Sequence, residues 1–140
     1  MATMRTSPDV AREVRRFRVG GIDLHAVRLH LAGPRAPIPL VFLHEGLGSV
    51  GQWQDFPDAL CAELGRDGLV YDRAGHGRSD AALVPRTPRY LHDEAWQVLP
   101  AVLDAAGIER AVLVGHSDGG TIALLFAAPI VSLWLVQFVR

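Results

Sequence analysis

Three short, wholly apolar runs constrain this 140-residue chain more than any other feature. They are Leu40-Val41-Phe42-Leu43, Leu69-Val70-Tyr71 and Ala111-Val112-Leu113-Val114, and each is followed by a polar, glycine-bearing turn. Such runs, without polar alternation, suit strands buried on both faces. Helical patterns lie between them. Pro57 fits the first turn of a helix that reaches about Leu64, with Gly65 as its stop. Leu91, Ala95, Val98, Val102 and Ala106 share one face of a second helix, closed by Gly107, with a kink expected at Pro100. Thr121 to Ala128 reads as a third. Strands that alternate with helices pair in parallel, in a sheet covered on both sides.

Upstream, Phe17 and Val19, the Gly20-Gly21 turn and Leu24 to Leu31 read as an antiparallel hairpin. In its second arm Val27, Leu29 and Leu31 alternate with Arg28 and His30, the period of a half-buried strand. A loop with Pro34, Pro37 and Pro39 follows. The fold class is therefore α/β, a mostly parallel sheet preceded by an antiparallel hairpin. No internal repeat is visible.

Composition narrows the function. A net charge of -1 offers no footprint for nucleic acid. Residues 1–21 carry five arginines but no apolar run, so they are not a secretory signal, and Asp9 and Glu13 argue against a mitochondrial presequence. The one cysteine, Cys61, has no internal partner. Its apolar helical setting points to a buried thiol in a reducing compartment, hence a cytoplasmic protein. No His pair has metal-ligand spacing, and neither metal nor cofactor is expected.

The chemistry concentrates in Val114-Gly115-His116-Ser117-Asp118-Gly119-Gly120. A strand runs into G-x-S-x-G and a helix leaves it, the context a nucleophile elbow requires. Ser117 would occupy a strained turn, with small residues on either side so that strand and helix approach. The bland alternative is a glycine-rich turn with Ser117 as a helix cap. Acyl transfer also needs two backbone N–H donors aimed at the developing oxyanion. Asp118, the residue after the nucleophile, supplies one. The other should come from His44-Glu45-Gly46-Leu47-Gly48-Ser49, which leaves another buried strand at its carboxyl end. A third segment, Asp72-Arg73-Ala74-Gly75-His76-Gly77-Arg78-Ser79-Asp80, forms a compact turn after a strand.

In this order and spacing the three segments resemble the α/β-hydrolase superfamily, over roughly residues 17–128. His44 to Gly48 resembles its His-Gly oxyanion loop, with Glu45 where glycine is usual. Asp72 to Asp80 resembles its D-x-R-G-x-G-x-S signature with Ala74 inserted, and Gly115 to Gly119 resembles the elbow. By this resemblance Gly46 is the second oxyanion donor, with Leu47 the alternative, and Glu45, Leu47 and His116 line the substrate site. His44 and His116 orient loops in such proteins and do not act as the base. His25 and His30 read as surface residues of the hairpin.

The family's chain order continues with an acid and a histidine after the serine. After Ser117 this chain has 23 residues, with no histidine, and Asp118 is their only acid. The resemblance thus implies the N-terminal half of a domain of about twice this length, cut after the elbow. Residues 1–13 are expected to be a flexible N-terminus and 14–140 a partial α/β-hydrolase domain. Residues 119–139 are uncharged, long enough for a membrane span. Gly119, Gly120, Pro129 and Gln137 favour instead a buried helix with a truncated end.

Two readings follow. One is a serine esterase acting on a small carboxylic ester or related acyl substrate through Ser117. The other is an inactive fragment or remnant of such a hydrolase. A dehalogenase or epoxide hydrolase is disfavoured, because those chemistries call for Asp at the nucleophile position. Glu45 and Asp118, one in each donor segment, either serve structure or face the cleft and favour substrates with an amino group. In the structural case Asp118 interacts with the helix dipole, and Glu45 pairs with Arg73, Arg78 or solvent.

Overall fold

A computed structural model describes residues 9–138. Five strands form one sheet: β1 (Val10–Val19), β2 (Ile22–Leu31), β3 (Ala36–Leu43), β4 (Arg66–Tyr71) and β5 (Val112–Gly115), in the spatial order β1-β2-β4-β3-β5. β1, β2 and β4 pair antiparallel in succession, while β4-β3 and β3-β5 are parallel. The helices are α1 (Phe56–Leu64), α2 (Tyr90–Asp93), α3 (Leu99–Ala106) and α4 (Asp118–Phe138).

The apolar runs alternate between two cores, as strands buried on both faces must. Val41, Leu43, Leu69 and Tyr71 meet Leu99, Val102 and Ile122 from α3 and α4. Leu40, Phe42 and Val70 meet Cys61 of α1 on the other face, together with Val27 and Leu29. Burial pushes the Cys61 thiol up to about 12.

Four details differ from the sequence reading. First, β1 starts at Val10, inside the stretch expected to be flexible. Its ten residues pair one for one with β2, and Arg12 reaches across to the buried Asp58 of α1. Second, β3 begins at Ala36, within the proline loop. Its pairing with β4 skips from Ala36 to Leu40, so Pro37 and Pro39 sit where no ladder donor is needed. Third, the kink expected at Pro100 takes the form of a π turn over Glu94–Val98, in which the Leu99 N–H reaches back to the Glu94 carbonyl. Fourth, α4 begins at Asp118 and continues through Pro129. Proline supplies no N–H for the carbonyl four residues back, which here is Leu125. The Trp96 indole N–H takes that carbonyl at 3.1 Å. Among the described residues no helix is long and apolar enough to cross a membrane.

Candidate active site

The carboxyl ends of β3, β4 and β5 bring the three motif segments together. Ser117 has φ 53°, in the left-handed region, the one non-glycine besides Gln54 to do so among the described residues. Its neighbours explain why the turn holds. A Cβ on Gly115 would overlap the Gly119 carbonyl, and one on Gly119 would overlap the Leu43 carbonyl oxygen. The His116 N–H also bonds the Leu43 carbonyl at 3.1 Å, so the elbow is stitched to the end of β3. Ser117 itself is exposed.

The loop at residues 44–50 is gripped by the 72–78 turn. His44 is 2 % exposed. Its Nδ1 lies 2.6 Å from the Glu45 carbonyl, while its Nε2 accepts the Arg73 backbone N–H at 3.0 Å. That pattern leaves a neutral ring protonated at Nδ1, and burial first of all lowers its pKa to about 4. The Arg73 guanidinium donates to the Glu45 carbonyl at 2.8 Å, and His76 Nε2 faces the Gly46 carbonyl at 2.8 Å. Asp72 accepts the Val50 N–H at 2.6 Å. The carbonyls of residues 45 and 46 are therefore engaged from behind. The N–H groups of Gly46 and Asp118, by contrast, find no acceptor among the described residues.

The two donor segments touch. A Cβ on Gly46 would lie 2.9 Å from Asp118 Oδ2, which accepts the Tyr90 hydroxyl at 2.8 Å. That hydrogen bond to a carboxylate raises the Tyr90 pKa. Glu45 pairs with neither Arg73 nor Arg78. Its carboxylate lies 4.0 Å from Nδ1 of the exposed His116. Glu45 and His116 share a cavity of about 120 Å³ with His44, Ser49, Gln52 and Trp53. Leu47 is 91 % exposed and lies outside that cavity. A larger cavity, about 560 Å³, lies beside Arg28, Arg35, Asp67 and Glu109, at the opposite end of the parallel strands. Ligands of open α/β sheets bind at the carboxyl ends, so its size gives it no part in this site.

One residue departs from its expected role, and one was not anticipated. His25 is not a surface residue: it is 6 % exposed, with Nδ1 2.9 Å from Asp72 Oδ2. It shares its face of β2 with Val27 and Leu29, and that parity was the available signal. Tyr90, the partner of Asp118, carried no signal, because it belongs to no motif and lies 28 residues away.

Compared with known proteins, residues 38–133 match the alpha/beta hydrolase fold, and the chain belongs to that family. The sn-1-specific diacylglycerol lipase ABHD11 of Danio rerio is 35% identical over 89 residues, 64% of this chain and 26% of its own. RutD of Caulobacter vibrioides, which bears the name of a carbamate hydrolase, is 35% identical over 116 residues, 81% of this chain and 40% of its own. In structure, a predicted CIB-like hydrolase from Thermoplasma acidophilum superposes with a TM-score of 0.72 at 19% identity, over 86% of this chain and 57% of that one. The chain thus spans about a quarter to a little over half the length of these relatives.

Proposed function

We propose that this chain carries the nucleophile and the oxyanion donors of a serine hydrolase acting on a carboxylic ester or a related acyl compound. The observation that supports this most is a strained Ser117 together with unengaged N–H groups at Gly46 and Asp118, on two segments that touch through the Asp118 carboxylate. In this reading Ser117 Oγ–H gives its proton to a general base as Oγ attacks the acyl carbon, and the two N–H groups take the charge that develops on the carbonyl oxygen; the protonated base is the acid of the next step. The alcohol leaves with a proton from the general acid, and water then hydrolyses the acyl-enzyme. Glu45 and His116 meet the substrate at the cleft mouth, while Leu47 meets it from solvent. The enzyme works without a cofactor, and the buried Cys61 thiol suits a cytoplasmic setting.

The base is the missing part. His44 spends Nε2 on the Arg73 N–H, and both ring nitrogens of His76 face carbonyls, of Ala74 and Gly46. In this reading neither the base nor its orienting acid is identified among these residues. The alternative reading, an inactive remnant that binds without turnover, is favoured by the same observation. The test is esterase assay with p-nitrophenyl acetate. The 140-residue chain is expected to show essentially the buffer rate, since removing a triad member costs on the order of 10⁴- to 10⁶-fold. Residues 17–128 grafted into the matching part of an active relative are expected to restore turnover that Ser117→Ala abolishes. Turnover that survives Ser117→Ala would refute the assignment, and robust turnover by the isolated chain would point to His44 or His76 as base after all.

A further inference from the structure

The rim around the candidate site, at the carboxyl ends of the strands, leaves large aliphatic side chains in solvent. Residues 81–89, which lead from the 72–80 turn to α2, are exposed throughout. Within them Leu83 and Val84 are each 71 % exposed, and Leu47 of the oxyanion loop is more exposed still.

These side chains belong to one rim. Leu47 and Arg86 line a common cavity of about 450 Å³ with Gly46, Gly75 and His76. The chain then returns over Gly75, where a Cβ would lie 3.8 Å from the Ala82 nitrogen. A Cβ on Gly21, in the turn between β1 and β2, would lie 3.6 Å from Leu83 Cδ1. That turn is at the edge of the sheet opposite β5, so a strand added beside β5 would lie on the far side from it.

The same rim carries cations without anions. Asp23 and Asp80 are taken by Arg18 at 3.1 Å and Arg16 at 4.0 Å. Arg78 and Arg86 have no carboxylate partner among the described residues. Arg86 lies instead against His76, with Nη2 2.9 Å from Nε2, and over the Tyr90 ring at 5.1 Å.

We infer that this rim docks on an anionic lipid surface, with Leu47, Leu83 and Val84 entering the headgroup layer and Arg78 and Arg86 beside the lipid anions. Two features select a bilayer over a protein partner. Aliphatic side chains that protrude from glycine- and proline-bearing loops need a medium that yields around them, whereas protein interfaces rest on aromatic anchors seated in shaped pockets. Unpaired guanidiniums gain most beside a surface of many anions. The net charge of -1 gives the whole chain no attraction to such a surface, so the local excess supplies it, and within a short range. Apolar insertion and charge then add, as they do for other interfacial segments. Docking does not depend on the catalytic reading, although the docked rim is the one that includes Gly46.

The test is binding of the full chain to phosphatidylcholine vesicles with and without about one-third phosphatidylserine, by sedimentation and fluorescence. Cys61 is buried and is the one cysteine, so Leu83→Cys takes an acrylodan label selectively. Leu64→Cys is the control: Leu64 is 49 % exposed and lies just before β4, at the opposite end of the sheet. The expected result is saturable binding to the anionic vesicles, with a blue shift of the label at position 83 and none at 64. Affinity is expected to fall about fivefold in Arg78→Gln and in Arg86→Gln. The double variant Leu83→Ser, Val84→Ser is expected to lose about tenfold. All four side chains are exposed, so these variants keep the fold. Equal binding with and without phosphatidylserine, a label shift at both positions or at neither, or unchanged affinity in these variants overturns the inference. Self-association without lipid binding, abolished by the double serine variant, also overturns it and assigns the rim to a second copy of the chain.

Discussion

The two donor segments of the candidate site are held in opposite ways. The Gly46 loop sits mid-sheet, gripped from behind by the buried Arg73 and Asp72 and the half-buried His76, each of which takes one of its backbone atoms. The Ser117 elbow sits on β5, the outermost strand, where Val112 is 41 % exposed. Among the described residues no buried charge network supports it there. It is held by close glycine contact with the end of β3 and by one carboxylate bond, Asp118 to Tyr90. Where the sheet is covered, polar groups are desolvated and their hydrogen bonds are strong and directional. At the elbow, steric fit carries the geometry instead.

The comparison can be broken most easily at the elbow. Gly119→Ala drives a methyl into the Leu43 carbonyl and is expected to destabilise by more than about 4 kcal/mol, read by urea denaturation. A loss under about 1 kcal/mol, within the range of ordinary surface substitutions, would show that the elbow is not held by contact.

On the loop side, Asp72→Ala strands two backbone N–H groups and His25 together. The expected loss is about 3–5 kcal/mol, as for a buried charged group removed from its partners. Amide exchange at Val50 is expected to quicken in the same variant, while that of Val114 stays close to wild type.

His44 gives the loop a pH dependence. Its folded pKa of about 4 lies below the ordinary 6.5, so the unfolded chain binds the proton more tightly. The stability it contributes is complete above pH 6.5 and is lost as pH falls towards 4. At about 1.4 kcal/mol per unit the loss is of order 3 kcal/mol. Urea midpoints measured across that window are expected to fall more steeply for the wild type than for His44→Gln.

The smallest effect separates the two carboxylates, one on each donor segment. In an active chimaera, kcat/KM for an amino ester over its neutral isostere is expected to fall with Glu45→Gln or with Asp118→Asn. About 1 kcal/mol, or roughly fivefold, is the expected size for exposed charges near 4 Å. Glu45 faces the cleft beside His116, whereas Asp118 is already bonded to Tyr90, so the larger drop is expected for Glu45. No change in either variant makes both residues structural.

The architecture was legible where pattern and packing coincide. The runs at 40–43, 69–71 and 111–114 alternate between two cores because nothing polar interrupts them. The elbow was legible because only glycine tolerates its contacts. β1 was legible only at its end, where Phe17 and Val19 read as a hairpin arm; Val10 to Glu13 read as a flexible arm, and their order comes from pairing with β2. The clamp on the oxyanion loop was half legible. Asp72 to Asp80 stood out as a signature, but which atoms it grips depends on the spatial neighbourhood of β3 and β4. Tyr90 depends on tertiary contact alone.

The tie between Trp96 and the carbonyl that Pro129 leaves free makes two distant positions behave as one under mutation. With Pro129 in place, losing the indole strands the Leu125 carbonyl. With an alanine at 129, a backbone N–H becomes available for that carbonyl and the indole is no longer needed. Tolerance of change at position 96 is therefore set by the residue at position 129, and replacements at these two sites combine epistatically rather than add.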